Sequence, residues 1–175
     1  MRMELIQPFI GSLDAVLGEM MRAPANIAGL AMEEEGYRKK GLAAVVTFQG
    51  QIEGRIILDM EPQAATHVAK ILAGEEAEAD AAILPEAVCE LANMVIGNAI
   101  TQLNDRGFQF KVHPPAILSE EECGRAGQDT EATVLRFETP SGNVHLNIAM
   151  RYHNRRAREA ASLPVPAGSG APSRS

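Results

Sequence analysis

The sequence is poor in aromatic residues. It has no tryptophan, two tyrosines and five phenylalanines, so a core can only be aliphatic, built from Ala, Val, Ile, Leu and Met. Cysteine is equally scarce. Cys89 and Cys123 stand alone with no C-x-x-C, which excludes a disulfide framework or a cysteine-based zinc site. Basic residues are outnumbered 16 to 23, for a formal net charge of -7. That balance disfavours binding to nucleic acid or to anionic lipid. The one basic cluster, Arg151 to Arg158, reads as a strand end running into a solvated tail. No apolar run of roughly 18 residues exists to span a membrane. Glu4, Gln7 and Asp14 interrupt any signal-peptide core. The expected location is the cytoplasm, with neither nucleic acid nor membrane as partner.

What is present is helical and strand periodicity. Ile6, Ile10, Leu13, Val16, Leu17 and Met20 recur at helical spacing over residues 4–22, before Pro24. Residues 26–32 suit a short strand, and Glu33 to Lys40 reads as a loop or exposed edge whose charges are solvated. Leu42–Phe48 and Ile52–Met60 form a hairpin around Gln49-Gly50-Gln51. Pro62 opens a second helix carrying His67, Val68, Ile71 and Leu72, and Gly74 closes it. An acidic connector, Glu75 to Asp80, leads to the longest helical pattern, 85–106. Pro85 lies in its first turn and Gly107 just past its end. A strand over Phe108–His113 ends at Pro114-Pro115. Ser119 to Gln128 reads as a polar loop. A second hairpin, Thr133–Glu138 and Val144–Tyr152, turns through Pro140 to Asn143. The expected fold is α/β of the α+β type, a mainly antiparallel central sheet flanked by long helices. The domain spans 1–159. An Ala/Pro/Gly/Ser-rich tail, 160–175, is too polar to order itself.

Residues 4–60 and 85–152 share one grammar: helix, strand, polar loop, hairpin. Either the halves are a duplication, or helix–hairpin alternation has recurred by chance.

On a helical wheel, Leu84, Leu91, Ala92, Val95, Ala99 and Leu103 fall within about 60° of Val88 and form a core stripe. Glu86, Glu90, Asn93, Gly97, Thr101 and Asn104 fall roughly opposite. Gly97 is unexpected there, since a mid-helix glycine costs about 0.5–1 kcal/mol relative to alanine. Clearing side-chain bulk for another backbone is one reason to keep it. Glu86, Gly97 and Thr101 then become partner-binding positions around Glu90 and Asn93. A Glu-x-x-Asn pair is in itself commonly just solvated surface.

The run Glu90-Leu91-Ala92-Asn93-Met94-Val95-Ile96-Gly97-Asn98-Ala99 resembles the signature helix of the CheC/CheX family of bacterial chemotaxis phosphatases, most closely its CheX branch. Other matches follow in the same order. Gln7-Pro8-Phe9-Ile10 resembles that branch's opening, with Gln7 where Asn is usual. Gly50-Gln51-Ile52-Glu53-Gly54 resembles its hairpin. Gly74-Glu75-Glu76 and Pro114-Pro115 resemble later features. The resemblance covers about residues 4–152 and implies a CheC-like fold.

It also implies hydrolysis of the aspartyl phosphate on a phosphorylated CheY-type response regulator. Glu90 and Asn93 would then be the catalytic pair. Asn93 would orient the water, and Glu90 would pair with a cation on the regulator. The chain would need no cofactor of its own, because magnesium would belong to the regulator. The first helix, with Leu13, Asp14, Glu19 and Met20, has no second motif. One motif per chain fits the CheX branch, whose members are typically homodimers. The alternative is a non-catalytic adaptor that binds a regulator or receptor complex through the same helix. Other chemistry has little footing. His67, His113, His145 and His153 lack metal-ligand spacing, Ser162 and Ser169 lie in the tail, and no nucleophile motif or phosphate loop occurs.

Overall fold

A computed structural model describes residues 3–22, 26–33, 37–74, 81–126 and 132–153. Four helices and seven strands follow in the order α1 (Met3–Met21), β1 (Asn26–Glu33), β2 (Leu42–Gly50), β3 (Ile52–Met60), α2 (Pro62–Ala73), α3 (Leu84–Asp105), β4 (Phe110–Val112), β5 (Ala116–Ile117), α4 (Glu120–Ala126), β6 (Ala132–Thr139) and β7 (Gly142–Tyr152). The strands form one sheet in the order β1-β6-β7-β3-β2-β4, with β5 also on β2. Every pairing is antiparallel.

This order carries an internal symmetry. Take α1-β1-β2-β3 and α3-β4-β6-β7 as two halves. The first strand of each half pairs with the second strand of the other, and the third strands, β3 and β7, meet in the middle. Chance alternation of helix and hairpin has no reason to give reciprocal pairing, so the topology favours duplication.

Strand alternation separates two sheet faces. Ile56, Leu58 and Met60 of β3 and Val144, Leu146, Ile148 and Met150 of β7 point to one face. There they meet Leu5, Phe9, Leu13 and Leu17 of α1, Val68 of α2, and Val88, Leu91, Val95 and Leu103 of α3. The core is aliphatic, as the composition requires. The scarce aromatics are nonetheless grouped: Phe48 lies 5.9 Å from Phe9 and 5.8 Å from Phe110 between ring centroids. The reverse face carries a smaller cluster of Tyr37, Ala43, Ile57, Leu118, Cys123 and Val134. Beside it are buried Arg55, Asp59, His145 and Asn147.

Three expectations need correction. The polar stretch after Ser119 is helical from Glu120 to Ala126, not a loop. Ser119 and Glu122 close a capping box: the Ser119 N–H donates to Glu122 Oε2 at 2.8 Å, and the Glu122 N–H to Ser119 Oγ at 3.2 Å. Cys123 thereby turns inward and is fully buried. The described end of the 33–40 run, residues 37–40, is a loop with Arg38 and Lys40 exposed, as read, but it is not solvated throughout. Tyr37 is buried, and its hydroxyl donates to Asp59 Oδ2 at 2.8 Å. Finally, the strand expected over 108–113 pairs only from Phe110 to Val112. Phe108 is used to end α3, and Gln109 bonds to Gln51 at the β2–β3 turn. The acidic connector and the tail lie outside the described residues.

Gly54, inside β3, lies close against the backbone of β7. Its φ is +139°, and a Cβ placed on it would sit 2.0 Å from the Ala149 carbonyl oxygen of β7. Only glycine fits there.

Candidate functional site

The site is built on α3, and both ends of that helix are fixed. A single 3-10 turn, Ala81–Ile83, leads in, Pro85 occupies the first turn, and Glu86 supplies a negative charge near the positive end of the helix dipole. At the other end, the Phe108 N–H donates to the Leu103 carbonyl and the Gly107 N–H to the Asn104 carbonyl. With Gly107 at φ +90°, this is a Schellman stop. Ala87, Val88, Leu91, Ala92, Val95, Ile96, Ala99 and Leu103 are buried. The core stripe read from the wheel is therefore the one observed, except that Leu84 is half-buried.

Neighbouring α1 holds α3 from the side. Ser12 Oγ donates to the Val95 carbonyl at 2.6 Å, midway along α3. Near the far end, Arg106 Nη1 donates to the Glu4 carbonyl at 3.3 Å. That carbonyl needs an outside donor because Pro8, four residues on, has no N–H to offer it. These contacts fix the rotation of α3, and so determine which side chains it presents outward.

Glu86, Glu90, Asn93, Gly97, Thr101 and Asn104 are all exposed. Glu90 and Asn93 are one turn apart, about 4.5 Å along the axis. Neither side chain has a hydrogen bond or ion pair within the described residues, so both present their full bonding capacity outward. A Cβ placed on Gly97 would find no atom within 4 Å, so nothing within the described chain requires a glycine there. Thr101 differs from the reading as a free contact: its hydroxyl donates to the Gly97 carbonyl at 3.0 Å, leaving the methyl and the oxygen's acceptor capacity for a partner. The wheel reading passed over Met94. It is 40% exposed, on a helix whose other large apolar residues are wholly or partly buried. Its wheel position, beside Glu90 and Thr101, was the available signal.

This surface is convex. A cleft of about 890 Å³ lies instead near the C-terminal end of α3, lined by residues including Gln51, Glu53, Arg106, Phe108 and Tyr152. It is about 20 Å along the helix from Asn93. Its Glu53 carboxyl is held below the usual carboxylate range, chiefly by its hydrogen bond to His153 and also by Arg151. A second concavity, of about 520 Å³, contains His67, Lys70 and Ser141 on the outer side of α2. Neither includes Glu90 or Asn93. A protruding acid–amide pair suits a partner that brings its own recess, rather than a small substrate needing enclosure.

Among the described residues no three His, Cys, Asp or Glu side chains cluster as metal ligands would. His67 Nδ1 contacts Ser141 Oγ, and His153 contacts Glu53. Burial lowers the pKa of His145 on the reverse face of the sheet, opposed by nearby Asp59. Half-buried Cys89, next to Glu90, has its thiol pKa raised by burial and is not activated. No helix among the described residues is long and apolar enough to cross a membrane.

The fold has clear counterparts. A CheC-like superfamily protein from Shewanella sp. PV-4 superposes with a TM-score of 0.74 at 24% identity, covering 86% of this chain and 99% of that one. A chemotaxis protein CheX from Desulfovibrio desulfuricans gives 0.69 at 21%, with the same coverage. A chain from the CheX–CheY–BeF3–Mg2+ complex of Borrelia burgdorferi gives 0.66 at 30% identity, again over 86% of this chain and 99% of that one. No curated protein sequence matches significantly. The family model for chemotaxis phosphatase CheX matches residues 42–138, a span that includes β2, β3, α2 and the whole of α3. The match, together with the shared fold, makes this chain a member of the CheX family.

Proposed function

We propose that this protein is an aspartyl-phosphate phosphatase acting on a phosphorylated CheY-type response regulator in chemotaxis. The observation that carries the proposal is the outward, unpartnered Glu90–Asn93 pair on a helix whose rotation is fixed by α1 and the core. The Borrelia complex, in which CheX is found with CheY, beryllofluoride and magnesium, supports the choice of partner.

The chemistry asks little of the protein. An acyl phosphate is already activated. A water oxygen forms the new bond to phosphorus while the bond to the aspartyl oxygen breaks and the carboxylate leaves. Positioning and charge stabilisation suffice. The Asn93 amide both donates and accepts, so it can hold a water in line with phosphorus. Glu90 pairs with a cationic side chain of the regulator and fixes Asn93 in place. Glu86, Gly97 and Thr101 form the surrounding contact. Magnesium sits on the regulator, and this chain brings no cofactor. We further propose a cytoplasmic homodimer, joined through the sheet edges that β1 and β4 leave open to a second copy.

Phosphate release from a phosphorylated CheY-type receiver tests the reading. The parent protein should accelerate release, and Asn93→Ala should lose about 100-fold or more of that acceleration. An equally active Asn93→Ala rules the mechanism out. A complex that forms without accelerating release identifies an adaptor. Light scattering of the purified protein reads the oligomeric state.

A further inference from the structure

Met94 is out of place among its neighbours. On the helix surface it is flanked by Glu90 one turn before and Asn98 one turn after, both exposed and polar. Gly97, three residues on, leaves open space beside it. Glutamine or lysine would serve the helix equally well by propensity. Yet an apolar side chain stands 40% exposed within a few ångströms of the proposed catalytic pair.

A polar pair alone makes a weak dock. Exposed ion pairs contribute about 0–1 kcal/mol, because water competes for the same groups. Interfaces gain most of their affinity from a few apolar or aromatic anchors that are fully desolvated at the centre, ringed by polar contacts. Met94 lies in this way between exposed Glu90 and Asn98, with Thr101 a further turn along the same face. Its unbranched thioether adapts to an irregular pocket, and the bare backbone at Gly97 lets the partner's surface close over it.

We propose that Met94 is the apolar anchor of the receiver-binding surface. It inserts into an apolar depression on the phosphorylated receiver beside the aspartyl phosphate, and so sets affinity while Asn93 sets the rate. This rests on the phosphatase reading above, which supplies the receiver as occupant.

The test compares Met94→Gln, Met94→Leu and Asn93→Ala, in steady-state phosphate release and in binding to a beryllofluoride-activated CheY-type receiver. Met94→Gln should raise KM and Kd about tenfold with kcat unchanged, the loss expected from one buried methionine. Met94→Leu should stay within about twofold of the parent, because the anchor remains apolar. Asn93→Ala should lose kcat with little change in Kd. A Met94→Gln protein whose KM and Kd stay within twofold of the parent overturns the anchor. So does one that loses kcat at constant KM. Either result, alongside an inactive Asn93→Ala, leaves the phosphatase reading standing. If Asn93→Ala stays fully active, the water-orienting role of Asn93 fails, and if the parent does not accelerate release the phosphatase reading fails; in both cases binding alone decides the anchor. Matched thermal melts of the three variants exclude misfolding, since both positions are solvent-facing.

Discussion

Two carboxylates show how differently this molecule uses charge. Asp59, on the reverse face of the sheet, is fully buried. It accepts from the Tyr37 hydroxyl at 2.8 Å, the Lys40 N–H at 2.6 Å and the Gly41 N–H at 2.9 Å. Glu90, on the helical face, is exposed and has no partner among the described residues. The first has its bonds made for it by the fold and is committed to holding the 37–41 segment against β3. The second is left with every bond unmade. A polar group satisfied within the chain is part of its scaffold. One fixed in orientation but unsatisfied is available to something else.

The contrast is strongest at Asp59. Asp59→Ala strands two backbone N–H groups and a buried hydroxyl, and should cost about 3–5 kcal/mol in urea unfolding. A loss under about 1 kcal/mol would remove the distinction between the two faces.

Glu61 lies between the extremes. It is half-buried and accepts from the Asn143 N–H at 2.9 Å and from Asn143 Nδ2 at 3.1 Å, tying the start of α2 to the β6–β7 turn. The backbone bond from Asn143 is the main cause holding its pKa below the ordinary 4.5. A depressed acid stabilises the fold above its unfolded pKa, and that contribution is lost as pH falls through the folded value. Stability should therefore drop from about pH 4.5 downward, and Glu61→Gln should flatten this acid limb by up to about 1 kcal/mol. Thermal melts from pH 3 to 7 measure it, and an unchanged acid limb removes Glu61 as the cause.

The smallest effect belongs at the site. Glu90→Gln and Asn93→Ala should each leave unfolding free energy within about 0.5 kcal/mol of the parent, whatever they do to phosphate release. A larger loss would mean these side chains serve the scaffold after all.

What could be read from sequence follows the length over which a pattern repeats. The outward face of α3 was legible because 22 residues repeat one period. Both hairpins were legible because a turn glycine separates two β-branched runs. The α4 helix was not, because a seven-residue helix is too short for periodicity to speak. Its signal was the Ser119–Glu122 capping box. The burial of Tyr37 depends on Asp59, 22 residues away. A charged run gives no sign of such a partner. Met94 is illegible to a wheel read by polarity, because an apolar residue on the polar side looks like a stray core position.

The reciprocal strand pairing also governs how the chain must fold. Across the central β3–β7 ladder the Arg55 guanidinium donates to Asn147 Oδ1, 92 residues away, and β1 waits on β6 from the far half. Neither half can complete a three-strand unit from its own sequence. The transition state therefore has to close loops of more than half the chain before the central and edge pairings reward it, which places folding in the slow, millisecond-to-second range of high contact order. A chain cut between the halves should yield two fragments that are unstructured alone and regain the sheet only when mixed.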